Sequence, residues 1–265
     1  MKLGTRTLVI LMAGLIACAF APSGEAQRLG GFEPGDPAVT STGDAGAKQT
    51  MQGIAPPEGA NHYLLTTINA NGLDGTDGFS SQSGSNAVSG PTLQSFFGNA
   101  VSIVGTEGSA FRLNNIVIAA GQVIRFSFDF LTNELPPFPG EPNPGGDPLG
   151  HLDLAFAILL DSNGNAVGGL RTIATPQSVN YSDQNDVITV GEPFNFHSGY
   201  MTFQISVATA GTYSLGIGVI DRTTADSPSG LLVDNIEIIP EPSVFALALA
   251  GLALLCGAQR LRRSV

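Results

Sequence analysis

The chain has 265 residues, of which 12% are charged, and it contains 34 glycines and 17 prolines. Few charges and many Gly and Pro residues disfavour long amphipathic helices and favour short strands joined by turns. Residues 27–239 contain 6 basic and 20 acidic side chains, a net charge of about −14. Such a surface repels phosphate backbones, so nucleic acid is excluded as the expected partner.

The first 26 residues have the three parts of a secretory signal peptide. Lys2 and Arg6 are basic, Leu8–Phe20 is an apolar run, and a small-x-small cleavage site ends at Ala26. A buried first helix would show polar positions at helical spacing, and none are present. The sequence therefore predicts export, with the signal peptide spanning residues 1–26.

The chain has two cysteines, Cys18 and Cys256, and both lie in the hydrophobic end segments. The domain between them therefore has no disulfide, no thiol nucleophile and no thiolate metal site. Residues 15–18 (LIAC) are similar to a lipobox, in which the cysteine becomes a lipidated N-terminus. Lipidation of Cys18 and cleavage near Ala26 are alternatives.

Between the end segments the strongest periodicity is two residues, which is typical of strands with one buried face. Four segments alternate in this way: Ile124–Phe130, Met201–Val207, Tyr213–Val219 and Leu152–Leu160. Further strand candidates are Tyr63–Thr67, Ala110–Ile118, Ala166–Ile173 and Leu231–Ile239. Eight or more strands without a convincing helix predict an all-β fold. We expect one jelly-roll-like β-sandwich over residues 27–239.

Three loop segments need an interpretation. Residues 161–165 (DSNGN) match the start of a calcium loop, but Ala166 and Thr172 stand where that loop requires Gly and Glu, so an Asn-Gly hairpin turn is predicted. Residues 69–78 (NANGLDGTDG) are interpreted as a flexible loop. Leu135–Leu149 contains six prolines and is predicted to lie over the surface as a spacer.

The sequence has no GxSxG, HExxH, P-loop or GxGxxG motif. Its histidines are not spaced to place two on one strand face. Sugars usually stack on Trp or Tyr, and the chain has no Trp. The remaining candidate sugar contacts are three tyrosines, Tyr63, Tyr181 and Tyr200. We predict a non-enzymatic protein, with a glycoside hydrolase that brings two carboxylates together as the less favoured alternative.

The last 26 residues have a tripartite order. Pro240-Glu241-Pro242 comes first, a charge-free apolar run, Ser243–Ala258, follows, and the chain ends with a basic cluster, Arg260, Arg262 and Arg263. The apolar run predicts a transmembrane helix, slightly shorter than the usual ~20 residues, with the arginines as a cytoplasmic membrane stop.

This tripartite order resembles the PEP-CTERM sorting signal of Gram-negative bacteria. The resemblance covers residues 240–265. It implies processing by an exosortase near the Pro-Glu-Pro motif. It also implies localisation at the cell envelope, the cell surface or the extracellular matrix of cells that produce exopolysaccharide.

The edges of the domain are similar to galactose-binding-like jelly rolls, which include many carbohydrate-binding modules. The similar motifs are residues 31–36 (GFEPGD), 57–59 (PEG) and 231–236 (LLVDNI). In that fold the first and last strands meet, and an acidic residue from each often binds a structural calcium, which implies Glu33 and Asp234 as ligands. The alternative is that these carboxylates only accept hydrogen bonds from turns.

Residues 128–134 (FDFLTNE) also resemble exported PEP-CTERM domains of unknown role. Two functions follow from these resemblances. The first is a non-enzymatic surface or matrix protein, and the second is a calcium-stabilised carbohydrate-binding module for exopolysaccharide.

Overall fold

The computed structural model describes residues 26–68, 86–98, 100–134, 153–181, 183, 187–188, 194–222 and 228–240. The predicted signal peptide, the lipobox, the tail beyond Pro240 and the loop segments 69–78 and 135–149 lie outside these residues. Within the described ranges, no helix is both long enough and apolar enough to cross a membrane.

Thirteen strands and one short α-helix are present in these ranges. They are β1 (Gln27–Gly30), β2 (Thr40–Thr42), β3 (Asp44–Lys48), β4 (His62–Thr66), β5 (Val88–Ser89), α1 (Gly90–Phe96), β6 (Glu107–Ile118), β7 (Gln122–Thr132), β8 (Leu154–Leu160), β9 (Arg171–Ala174), β10 (Phe196–His197), β11 (Met201–Val207), β12 (Gly211–Asp221) and β13 (Ser229–Pro240). A 3₁₀ turn at Pro176–Ser178 follows β9.

The strands form two antiparallel sheets, which confirms the predicted β-sandwich. Sheet A has the order β10-β7-β13-β4-β3, with β11 also on β7 and β1 also on β13. Sheet B has the order β2-β6-β12-β8-β9, with β5 also on β6. The expected meeting of the first and last strands is present, since Arg28 of β1 lies opposite Glu237 of β13.

The main core lies between the sheets and contains the apolar face of each long strand. On β11, for example, Ile205 and Val207 are buried, whereas Gln204 and Ser206 are exposed. The next strand, β12, belongs to the other sheet. The turn near Ala210 therefore carries the chain from sheet A to sheet B.

The expectation of a fold without a helix is wrong at α1. Ser89 occupies the N-cap position, a proline follows in the first turn, and Gly98 has a positive φ of 68° just after the helix. Leu93 and Phe97, four residues apart, are fully buried in a second apolar cluster with Phe156 and other residues of sheet B. With only seven residues, α1 depends on this contact for its stability.

Two strands contain a register shift next to an asparagine with positive φ. Asn115 of β6 (φ 60°) lies beside the shift between β6 and β12, and Asn235 of β13 (φ 50°) lies beside the shift between β13 and β7. Asparagine tolerates this left-handed conformation better than most residues. The second shift places Asp234 at an irregular point of a central strand.

Replacing Phe111 with alanine tests the core. Its fully buried ring lies 5.2 Å from the ring of Tyr63 and 5.6 Å from that of Phe32. We expect Phe111→Ala to lower the free energy of unfolding by about 3–5 kcal/mol in urea titrations. Val117→Ala on the same strand, where the side chain is 71% exposed, should change it by less than about 0.5 kcal/mol. Equal effects of the two substitutions would contradict this core assignment.

Candidate functional site

Glu33 and Asp234, the two predicted calcium ligands, both bind one short segment, residues 58–61. Glu33 Oε1 accepts hydrogen bonds from the N–H groups of Ala60 (2.6 Å) and Asn61 (2.8 Å), which lower the pKa of Glu33. Asp234 Oδ2 accepts a hydrogen bond from the N–H of Glu58 at 3.1 Å. The chain after the first strand and the last strand therefore meet at this segment.

Arg28 supplies a positive charge at the same edge. Its guanidinium lies 3.4 Å from Asp36 and 3.2 Å from Glu58. Burial raises the pKa of Asp234 to about 6, although its backbone hydrogen bonds and the charge of Arg28 oppose that shift. These carboxylates contact N–H groups and a guanidinium, and calcium ligation by Glu33 and Asp234 stays a prediction.

The Asn-Gly turn after β8 is present. The N–H of Asp161 donates to the carbonyl of Asn165 at 2.9 Å, and Gly164 has a φ of 82°. Asp161 Oδ1 accepts hydrogen bonds from the N–H groups of Asn163 and Asn165, which contribute to a lowered pKa of Asp161. The chain's own turn thus uses this carboxylate, which favours the hairpin over a calcium loop.

A polar groove of about 240 Å³ lies between this turn and the strands β6 and β12. Its side chains include a guanidinium, an amide, a carboxylate and several hydroxyls. They come from Arg112, Asn115, Asp161, Ser162, Thr212 and Ser214. Groups of this kind can donate hydrogen bonds to sugar hydroxyls and accept them.

Arg112 is held in position at the groove. Its Nε donates to Asn114 Oδ1 at 2.8 Å, its Nη1 donates to the carbonyl of Phe96 at 3.3 Å, and its guanidinium lies 5.7 Å from the centre of the Phe96 ring. Within the described residues these bonds use two of its five N–H groups. The others can face a ligand.

The sequence did not reveal this groove. Arg112, Thr212 and Ser214 are ordinary polar positions on two strands that are a hundred residues apart in sequence. Only the pairing of Gly216 with Arg112 in the register of β6 and β12 brings them together. The one local signal was the Asn-Gly turn itself.

The tyrosines proposed as sugar contacts have other surroundings. Tyr63 is buried in the core between Phe32 and Phe111. The hydroxyl of Tyr181 donates to the carbonyl of Glu134 at 2.7 Å, and its ring packs edge-on against that of Phe196. Tyr63 therefore has no open ring face, and the hydroxyl of Tyr181 already has a partner.

Tyr200 belongs to a polar cluster with His62. Its hydroxyl is hydrogen-bonded to Nδ1 of the fully buried His62 at 2.6 Å. Among the residues that the structure describes, Nε2 of His62 has no hydrogen-bond partner. Burial lowers the pKa of this histidine to about 4. Burial and the nearby carboxylates of Asp129 and Asp234 raise the pKa of Tyr200.

His197 lies near the same cluster and contacts Asp129, with Nδ1 2.9 Å from Oδ2. The Ser198 hydroxyl is within 3.3 Å of Asp129 Oδ1 and 3.0 Å of the carbonyl of Gly199. It is therefore directed at the carboxylate and not at the imidazole. These three residues do not form the Ser–His–Asp order of a hydrolytic triad.

No protein-family model matches the chain, and neither does any curated protein sequence. Similar solved structures include the TmCBM61 module in complex with β-1,4-galactotriose, with 12% identity and a TM-score of 0.38 over 80% of this chain and 94% of that one. CBM28, a module specific for non-crystalline cellulose, also has 12% identity and a TM-score of 0.38, over 83% and 97% of the two chains.

A third similar structure is the enzymatically active domain of tailspike protein 4 of bacteriophage CBA120. The identity is 13% and the TM-score is 0.33. The match covers 76% of this chain and spans only 19% of the tailspike chain. All three TM-scores are below 0.5, so these likenesses do not assign a function to the chain.

The buried His62 predicts a specific pH dependence. Its pKa in the folded state is lowered to about 4 from an ordinary value of 6.5, so the unfolded chain binds more protons between these pH values. The stability that neutral His62 contributes is present above pH 6.5 and is lost as the pH falls toward 4. Between pH 6.5 and pH 4, we expect the free energy of unfolding of the wild type to fall by about 3 kcal/mol more than that of His62→Asn, as measured by urea unfolding.

Carboxyl groups with raised pKa values act in the opposite direction over the same pH range. The wild type and His62→Asn both contain these carboxyl groups, so their effect cancels when the free energies of unfolding of the two proteins are compared. Parallel stability curves for the wild type and His62→Asn would show that His62 does not resist protonation.

Proposed function

We propose that this chain is an exported, non-enzymatic surface or matrix protein of a Gram-negative bacterium, whose jelly-roll-like domain binds neutral polysaccharide. Its tail would be recognised by an exosortase at Pro240-Glu241-Pro242 and held in the membrane by the apolar run. The groove beside the Asn-Gly turn would be the sugar site. Three observations support this proposal.

The composition of the groove is the observation that carries the proposal. Its described lining contains hydroxyl, amide and guanidinium groups but only one carboxylate, Asp161. Glycoside hydrolysis requires two carboxylates that flank the scissile bond. A groove with one, already engaged by its own turn, is suited to binding sugar hydroxyls and not to cleaving the bond between sugars.

The charge of the domain indicates the class of polysaccharide. With about −14 over residues 27–239, the domain repels polyanions such as uronic acid polymers. The groove pairs one guanidinium with one carboxylate, so it has no excess positive charge to offset that repulsion. A neutral polysaccharide fits both facts.

The position of the last strand supports the sorting role of the tail. β13 ends at Pro240, which lies opposite Gln122 in sheet A. The Pro-Glu-Pro motif therefore begins where the sheet ends. A protease that recognises this motif would act beyond the last strand, so the domain need not unfold.

Removing two groove hydroxyls tests the sugar site. Thr212→Val and Ser214→Ala keep the strand geometry, and each removes one hydrogen-bonding group worth about 1 kcal/mol. We expect the double variant to bind a soluble neutral β-glucan, galactan or xylan roughly 10- to 30-fold more weakly in affinity electrophoresis. Gln204→Ala, an exposed polar position on sheet A, is the matched control and should bind like the wild type.

Two outcomes would contradict this site. In the first, a polymer retains the double variant as strongly as the wild type. In the second, none of the three polymers retains the wild type. Either result would leave a surface protein without this sugar site.

Deleting the tail tests sorting separately. A chain that ends at Pro240 lacks the apolar run and the terminal arginines, so we expect it in the soluble periplasmic fraction. Glu241→Gln should stay in the membrane fraction without being processed. Retention of the truncated chain at the envelope, as for the full chain, would contradict the role of the tail.

A further inference from the structure

Strand β11 forms an open edge of sheet A. It pairs with β7 over seven consecutive residues, Met201–Val207, without a register shift. Among the described residues, no strand pairs with the other side of β11. The preceding strand, β10, is covered on that side by a bridge between Val187 and Phe196. Backbone N–H and C=O groups of alternate residues of β11 therefore point away from the sheet.

The other edge strands in the described sheets have features that hinder pairing with a second chain. β3 contains a glycine and ends at Lys48, β1 has a register shift beside Arg28, and β9 is a four-residue strand that begins at Arg171. β2 and β5 have only three and two residues. Short length, charged side chains and bulges are the usual protection of sheet edges. β11 has none of these features.

The sequence of β11 (MTFQISV) contains no charged residue, no proline and no glycine. The segment around it is also uncharged, since residues 198–220 contain no Asp, Glu, Lys or Arg. The domain as a whole carries a net charge of about −14, so two copies repel each other over most of their surface. At β11, a second copy can approach without bringing like charges of this segment together.

The side chains of β11 are arranged symmetrically about its central residue, Gln204. The positions one and three residues before and after it are apolar, and the positions two residues before and after it carry hydroxyl groups. An antiparallel pair of two β11 strands centred on Gln204 matches like with like. The facing residues are Phe203 with Ile205, Met201 with Val207, and Thr202 with Ser206. Aromatic–β-branched pairs and Thr–Ser pairs stabilise antiparallel sheets.

Apolar side chains at one end of β11 are incompletely covered. Met201 and Phe203 are only partly buried against the main core, although the ring of Phe203 lies 5.7 Å from that of Phe126. Ile205 and Val207, at the other end of the strand, are buried. In the antiparallel pair, Ile205 and Val207 of the second copy lie beside Phe203 and Met201 on the same face of the sheet. This contact removes apolar surface from water.

We propose that β11 is a self-pairing edge, to which a second copy of this chain adds its own β11 in antiparallel order. The two Gln204 residues face each other at a twofold axis, and sheet A continues from one copy into the other. Backbone hydrogen bonds make most of this pairing, so exposed substitutions that keep the strand neutral, such as Gln204→Ala, retain it. A seven-residue edge buries little surface, so the association is weak. It depends on neither the sugar groove nor the sorting tail.

Cysteine cross-linking of the purified full-length chain in mild detergent tests the pairing. Cys18→Ser and Cys256→Ser first remove the natural thiols. In Gln204→Cys, the two new thiols face each other, and facing residues of antiparallel strands have Cα atoms about 4.5–5.5 Å apart, within the range of a disulfide. We expect a mild oxidant to convert most of this variant to a covalent dimer.

Val117→Cys is the matched control for this cross-link. Its side chain is 71% exposed on sheet B, away from β11. Its thiols meet only by collision, so we expect roughly tenfold less dimer than from Gln204→Cys under the same oxidation.

Two further cysteine variants test the register. In the proposed dimer, the two copies of position 202 are four residues apart along the strands, about 13 Å, and so are the two copies of position 206. Thr202→Cys alone and Ser206→Cys alone should therefore not cross-link above the control. An equimolar mixture of the two should form a mixed dimer, because position 202 faces position 206.

Charged substitutions separate strand pairing from non-specific association. In the Gln204→Cys chain, Thr202→Lys with Ser206→Lys places two pairs of like charges opposite each other, so the cross-linking rate should fall roughly three- to tenfold. Thr202→Lys with Ser206→Glu places opposite charges there, and the rate should not fall. The two lysines also reduce the negative charge of the domain, so non-specific association would instead increase.

Three outcomes would overturn the proposal. If Gln204→Cys forms no more dimer than Val117→Cys, copies of this chain do not pair through β11. If Thr202→Cys alone cross-links as well as Gln204→Cys, the two strands are not centred on Gln204. If the chain with two lysines cross-links as fast as its parent, the outer faces of the two strands do not meet.

Discussion

Burial of carboxyl groups is the constraint on which the rest of this structure depends. Five aspartates are at most 2% exposed in a domain with six basic residues: Asp44, Asp129, Asp153, Asp221 and Asp234. Residues 27–239 contain 20 acidic side chains in all, so lysine and arginine cannot neutralise every carboxylate, and the fold provides other donors. Asp44 accepts the hydroxyl of Thr66 at 2.5 Å, Asp129 contacts His197, and Asp234 accepts backbone N–H groups. Thr66 and His197 lie on strands that pair in sheet A with those of Asp44 and Asp129, so these donors are in place only when that sheet has formed.

The long strands could be predicted from the sequence because each has one face in the main core. The alternation from Met201 to Val207 matches the boundaries of β11 without error. The short strands β1, β2, β3, β5 and β10 were missed because they contain few apolar residues and are defined by their pairing partners. The predicted segment Ala166–Ile173 is only partly a strand: Ala166 makes an isolated bridge to Leu160, and β9 starts at Arg171.

The candidate sites were less predictable than the fold for the same physical reason. Glu33 and Asp234 could be connected in advance because the first and last strands meet in the fold that the sequence resembles. Glu134, Asp153 and Asp221 come close together only because sheet A packs on sheet B. The sugar groove depends on the register of β6 and β12. Neither arrangement leaves a local pattern in the sequence.

Urea unfolding of Thr66→Val tests the central claim most directly. This variant keeps the shape of the side chain but removes the hydroxyl that donates to the fully buried Asp44, so we expect the free energy of unfolding to fall by about 1–3 kcal/mol. Thr202→Val, at an exposed position of β11, is the matched control and should change it by less than about 0.5 kcal/mol. A Thr66→Val variant as stable as the wild type would contradict the account.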